Sequence, residues 1–300
     1  MEPKRPRHIA GGPILLAIVM LLALAPAPAG AITLQRTWRA NFSSSAYGSV
    51  TMKAYTNGIG TISYGLKAWR ANVRVNVYIR KGTCSKPGTT VARPASVITS
   101  ATGTVFRTDT IYEGQMAAIW SAARGTSFNI MVASGTTARC AAFTFNKATR
   151  VVITTLSIDL PVVRGPSGYP YCNVAMYQST TAQPREPGIT FIYAHARRGM
   201  FLPLLTKYKA SGAAGLLGRV VKVYTSDNVK NYYVIDKVRK TSTATTMNGV
   251  YDLSRERLWL QTSTGPNFSY PKLIVEAHRY KSVKTTYAAA HPTPHIVHCS

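Results

Sequence analysis

Ile189-Thr190-Phe191-Ile192-Tyr193-Ala194-His195-Ala196 is the stretch on which the reading of this chain turns. Its β-branched and aromatic residues predict a strand, and the strand ends on a histidine. Other runs of the same kind surround it: Ile158-Asp159-Leu160-Pro161-Val162-Val163 before it, then Gly218–Tyr224, Tyr232–Ile235, Leu258-Trp259-Leu260-Gln261-Thr262-Ser263-Thr264-Gly265 and Lys272-Leu273-Ile274-Val275-Glu276-Ala277. Gly199–Leu205 directly after the histidine reads as an apolar loop or short helix.

The first half is a second β-rich region. Strands are expected at 49–55, 59–66, 73–80, 91–98, 103–107, 126–133 and 138–145. The clearest is Val73-Arg74-Val75-Asn76-Val77-Tyr78-Ile79, whose strict alternation means one buried and one wet face. Asn57-Gly58 between two such runs is a hairpin signal, because both residues tolerate positive φ. Short strands with Gly-rich turns point to an antiparallel β-sandwich. Between residues 32 and 155 the only acids are Asp109 and Glu113, and histidine is absent. That leaves little for acid–base work and assigns this half to binding or spacing. Its exposed aromatics suit either sugar binding or simple packing.

The chain has 300 residues, enough for about two domains. Hydrophobic residues make up 46%, which excludes a disordered chain, and no Gly-X-Y period or sustained heptad is present. The net charge is +26, with only 10 acids in the whole sequence. Lys4, Arg5 and Arg7 precede the apolar run Ile14–Ala25; Pro26 and Pro28 follow, then Ala29-Gly30-Ala31. This is the layout of a secretory signal peptide, with an uncleaved N-terminal anchor as the alternative. The expected organisation is a leader or anchor at 1–31, a sandwich module at 32–155, a barrel domain at 156–284 and a tail at 285–300. A basic exterior outside the cytoplasm attracts anionic wall polymers or a membrane surface. No zinc-finger spacing or dense basic run supports specific nucleic-acid binding. Export also permits disulfides. Cys84 and Cys140 are expected to pair within the first half, while Cys172 and Cys299 either pair or leave Cys172 as a free thiol. No CxxC or Cys/His spacing points to a metal, and no cofactor is implied.

The order of motifs over about 158–281 resembles the sortase family, the bacterial cell-wall transpeptidases. The resemblance rests on Ile158-x-Leu160-Pro161-Val162, the strand ending at His195, the Leu258-x-Leu260-x-Thr262 run and the apolar Leu273–Ala277 stretch. It implies a sortase-like closed β-barrel, which with the sandwich read from the first half makes the protein all-β. In that family a thiolate attacks the Thr carbonyl of an LPxTG-like sorting signal. A His supplies a proton to the leaving amine, and an Arg steadies the oxyanion. His195 falls on the family's His, with Ala194 where Gly is frequent. Ser263 stands at the usual Cys position and Lys272 at the usual Arg position. A serine hydroxyl does not ionise as a thiol does, so it needs a positioned base. His195 would serve, oriented by Asp159, Asp236, Asp252 or Glu276. Lys272 keeps the charge of the Arg and loses its planar fork.

The resemblance thus implies an exported transpeptidase or hydrolase acting on envelope peptides or proteins, with His195, Ser263 and Lys272 as catalytic residues. Arg197, Cys172 and Arg279 are assisting candidates; Arg279, seven residues past Lys272, is expected on the opposite strand face. The alternative is a catalytically inactive sortase-fold module that binds envelope peptides or glycans. A third reading is a structural or adhesive protein. The tail cluster His291, His295, His298 and Cys299 is a weak metal candidate.

Overall fold

The computed structural model describes residues 32, 34–125, 127–241, 250, 255–264 and 271–299. The leader or anchor at 1–31 lies outside the described residues, as does Asp252. No helix among the described residues is long and apolar enough to cross a membrane.

Nine strands and a helix build the first module. One antiparallel sheet takes β1 (Leu34–Asn41), β2 (Gly48–Tyr55), β3 (Gly60–Leu66) and, out of sequence, the strand Val105–Ile111. The second sheet takes β4 (Arg74–Gly82), β5 (Pro87–Ala92), a short β6 (Val97–Ile98), and two later strands, Phe128–Ser134 and Thr137–Ala142. In chain order those three later strands are β7, β8 and β9. Alternation decides which side chains face inward. Val50, Met52 and Ala54 of β2, Ile62, Tyr64 and Leu66 of β3, and Val75, Val77 and Ile79 of β4 are all buried in one core. The two sheets therefore pack as the expected sandwich. The hairpin forms at Asn57-Gly58: Asn57 Oδ1 accepts from the Ile59 N–H at 3.2 Å, and Gly58 has φ +79°. Gly48 is required by close approach as well as by its φ of +88°, since a Cβ there would sit 1.8 Å from the Gly65 carbonyl oxygen.

The helix α1 (Glu113–Gly125) is absent from the sequence reading, which expected strands and turns alone in this half. Met116, Ile119 and Ala122 recur at helical spacing and are buried in or against the sandwich core. Its Trp120 meets Trp38 edge-on at 4.9 Å. Trp38 is fully buried, so truncation to Ala would cost about 3–5 kcal/mol.

The barrel starts earlier than the expected boundary near residue 155. β10 (Ala148–Ile153) pairs with β11 (Ile158–Arg164) and with β15 (Val220–Thr225), and Ala148, Val151 and Ile153 lie in the barrel core. β12 (Tyr171–Cys172), β13 (Ala175–Tyr177) and β14 (Ile189–Tyr193) follow, then α2 (Leu202–Ser211), β15, β16 (Val229–Thr241), β17 (Arg257–Ser263) and β18 (Lys272–Lys284). The closed barrel runs β10-β11-β13-β14-β17-β18-β16-β15. Only β11·β13 and β14·β17 are parallel within it. A barrel of eight strands is filled by its own side chains. Leu258, Leu260, Leu273, Val275 and Ala277 point into that core. The outer face of the same strands is covered too, by a second cluster of Ile189, Phe191, Trp259 and Ile274. Burial on both faces explains why Ile189–Tyr193 reads as a continuous apolar run rather than an alternating one.

The segment after β18 is not a loose tail. It forms α3 (Tyr287–Ala290), N-capped by the Thr286 side chain, and β19 (Val297–His298), which pairs with β12. The expected Cys84–Cys140 pair forms, 56 residues apart, and of the two alternatives for Cys172 the structure has the pair with Cys299, 127 apart. Cys172 is therefore not a free thiol. By loop length alone the longer crosslink is worth up to ~5 kcal/mol.

Candidate functional site at the barrel rim

β14 and β17 run parallel and finish together. The last paired residues are Tyr193 and Gln261. Beyond them the Ala194 N–H donates to the Gln261 carbonyl at 3.1 Å, and the Thr262 hydroxyl donates to the Ala194 carbonyl at 3.0 Å. This lock carries the contact past the end of β14 to Ala194 and Thr262, and His195 and Ser263 are the next residues of the two segments. β18 enters from the same end, with Lys272 opposite Ser263. The topology thus brings the three sequence-predicted catalytic positions onto adjacent strand ends.

Lys272 Nζ donates to Ser263 Oγ at 3.1 Å. Lys272 is only 8% exposed, and burial pushes its ammonium below the usual lysine range. Ser263 is half-buried. Burial lowers the proton affinity of this ammonium, and the contact places it where a proton can pass between Nζ and the hydroxyl.

His195 is held differently. Its Nε2 lies 3.0 Å from the Pro170 carbonyl oxygen, and its backbone carbonyl accepts the Phe201 N–H at 3.0 Å. A carbonyl only accepts, so Nε2 is the donor in this contact. Tyr169 lies beside the ring, with centroids 5.2 Å apart. The carboxylates expected to orient His195 are engaged elsewhere. Asp159 binds Arg150, Asp236 binds Arg257 and His278, and Glu276 binds Arg239 at 2.6 Å.

The assisting candidates divide. Arg197 Nη1 lies 3.1 Å from Cys172 Sγ, and Cys172 sits near His195 because β13, antiparallel to β14, begins at this rim. Arg279 does not reach the site. It lies seven residues along β18 from Lys272, roughly 24 Å at ~3.4 Å per residue, and both its Nε contacts go to Glu256 at 2.8 Å. Sequence reading missed the Pro170 carbonyl and the buried Thr262 hydroxyl. The first lies in a Gly/Pro-rich loop with no periodicity to read. The second is one more Thr in a Thr-rich run until the neighbouring strand is placed.

No protein-family model matches the sequence, and no curated protein matches it. Among solved structures the chain is similar to sortase C of Streptococcus pneumoniae, at 17% identity and a TM-score of 0.38, over 45% of this chain and 69% of that one. It is similar to sortase C-1 of Actinomyces oris at 19% identity and a TM-score of 0.36, over 45% and 71%. A lid mutant of sortase A from Corynebacterium diphtheriae gives 18% identity and a TM-score of 0.37, over 44% and 69%.

Proposed function

We propose that the barrel rim is an acyl-transfer site for a peptide or protein of the cell envelope, with Ser263 as nucleophile. The observation that carries this reading is the 3.1 Å contact between Ser263 Oγ and the buried Lys272 Nζ. Neutral Lys272 takes the Ser263 proton as Oγ attacks the scissile carbonyl carbon. The resulting ammonium sits beside the tetrahedral oxyanion and returns the proton to the leaving amine. His195, two residues past the end of β14, deprotonates the incoming amine or water through Nδ1. This moves the base role for the first step from His195 to Lys272. The reading includes export: two disulfides persist outside the cytoplasm, and the net +26 charge suits anionic wall polymers.

A fluorophosphonate probe tests it. One label per chain on Ser263, lost in Ser263→Ala, is expected, together with cleavage of sorting-signal peptides in the presence of an amine. An unlabelled, correctly folded protein would reject turnover. A binding module without turnover is favoured by one observation, the tie of His195 to a carbonyl rather than a carboxylate. That reading expects peptide binding that survives Ser263→Ala.

A further inference from the structure

Three ligand atoms converge at His195. Cys172 Sγ, Cys299 Sγ and a ring nitrogen of His195 lie within 4.8 Å of one another. They are far apart in sequence, so no spacing motif announces them. One nitrogen of the His195 ring contacts a backbone carbonyl, that of Pro170, as the second nitrogen of a metal-binding imidazole ordinarily does. The segment bearing Cys299 is held by more than its disulfide. β19 pairs with β12 next to Cys172, the Tyr171 and His298 rings meet edge-on at 5.2 Å, and Arg150 Nη1 donates to the Ala289 carbonyl at 3.0 Å. Both sulfurs therefore stay neighbours when the bond between them is cut. The Arg197 guanidinium at 3.1 Å from Cys172 Sγ favours a thiolate there.

We propose that Cys172, Cys299 and His195 form a binding site for a borderline-soft divalent metal, with Zn²⁺ preferred, that is closed in the disulfide form and opened by reduction. The redox step consumes two equivalents of a thiol: two RSH become RSSR, and the cystine becomes two cysteines. Metal binding then displaces the two thiol protons. At Zn–S bonds of ~2.3 Å and tetrahedral angles, the sulfurs need to part to only ~3.8 Å. Two thiolates and an imidazole are a donor set that suits zinc, and three protein ligands leave the fourth position for water. The proposal stands apart from the Ser263 chemistry but shares His195. A loaded metal would withhold that ring from acyl transfer and leave the Ser263–Lys272 contact in place.

Co²⁺ titration of the purified full chain, reduced with dithiothreitol and freed of it without oxygen, tests the site. The expected result is a thiolate-to-cobalt charge-transfer band that Zn²⁺ removes, and no band for the oxidised protein. His195→Ala should weaken binding by at least about 10–100-fold. No band in the reduced protein would overturn the proposal. So would equal affinity in His195→Ala, or a band that survives in Cys172→Ser/Cys299→Ser, which would place the metal at Cys84 and Cys140. If reduction unfolds the chain, Zn²⁺ must restore its circular dichroism, because metal binding and folding are coupled; a chain that stays unfolded counts against the site. Ser263→Ala should keep the band while losing the fluorophosphonate label, so the two readings fail separately.

Discussion

Where β14 and β17 begin, the barrel's cations meet carboxylates; where they finish, Lys272 meets a hydroxyl and Arg197 a sulfur. At the first end Arg185 pairs with Asp227 at 2.6 Å, and Arg279 pairs with Glu256 at 2.8 Å. Glu256 Oε1 also accepts from the Tyr233 hydroxyl at 2.9 Å and from the Arg185 N–H at 2.8 Å. Arg185 and Arg279 are each answered by a carboxylate, and Tyr233 is sealed so deeply that burial and Glu256 push its hydroxyl far above the usual range. At the rim, burial acts on Lys272 and lowers its proton affinity. Burial thus acts on a paired hydroxyl at one end and on an ammonium beside a serine at the other.

The largest expected effect follows from the rim half of this contrast. Ser263→Ala should remove acylation by about 10³-fold or more, measured as probe labelling or peptide turnover. Retained turnover would mean that the hydroxyl at this end is as idle as the paired charges at the other. The effect of Lys272 is next. Lys272→Arg should slow acylation by about 10²–10⁴-fold, since a guanidinium stays protonated. In the unmodified protein the rate should rise with pH as Lys272 loses its proton. The midpoint should fall below the ordinary lysine value of about 10.4, because burial disfavours the charged form. A pH profile of labelling reads both; a flat basic limb in the unmodified protein would remove Lys272 as the base.

The paired end should answer in stability instead. Glu256→Ala leaves Arg279 and the Tyr233 hydroxyl without this acceptor, at a cost of about 3 kcal/mol in a urea melt. Labelling of Ser263 below the transition should not change. A loss of labelling without loss of stability would erase the distinction between the two ends.

Much of this division was legible before any strand was placed, and the illegible part has a physical cause. His195, Ser263 and Lys272 each stand at the end or start of an apolar run, and such runs report burial directly. The alternation of Val75, Val77 and Ile79 fixed the sandwich in the same way. Helix α1 was missed because Glu113–Gly125 is short, rich in small residues and flanked by strands, so its helical spacing is carried by few apolar positions. The partners of His195 were illegible for another reason. Pro170 comes from a loop, and Cys299 lies 127 residues from Cys172, so their proximity depends on the whole barrel closing. Strand periodicity is local; the meeting of a loop carbonyl, a tail cysteine and a strand-end imidazole is not.

Asp159 gives the smallest effect and still bears on the contrast between the two ends. Its carboxylate accepts from Arg150 Nε at 2.7 Å, and its side chain is 52% exposed. An ion pair open to water gains little, because solvent and salt screen it and two side chains must be ordered to make it. Asp159→Asn should therefore change stability by no more than about 1 kcal/mol, and less at high salt. Acylation should not change, because no contact runs from Asp159 to the His195 ring, whose Nε2 is tied to Pro170. A loss of acylation in this variant, with the fold intact, would mean that a carboxylate reaches the rim after all, and that His195 rather than Lys272 serves Ser263.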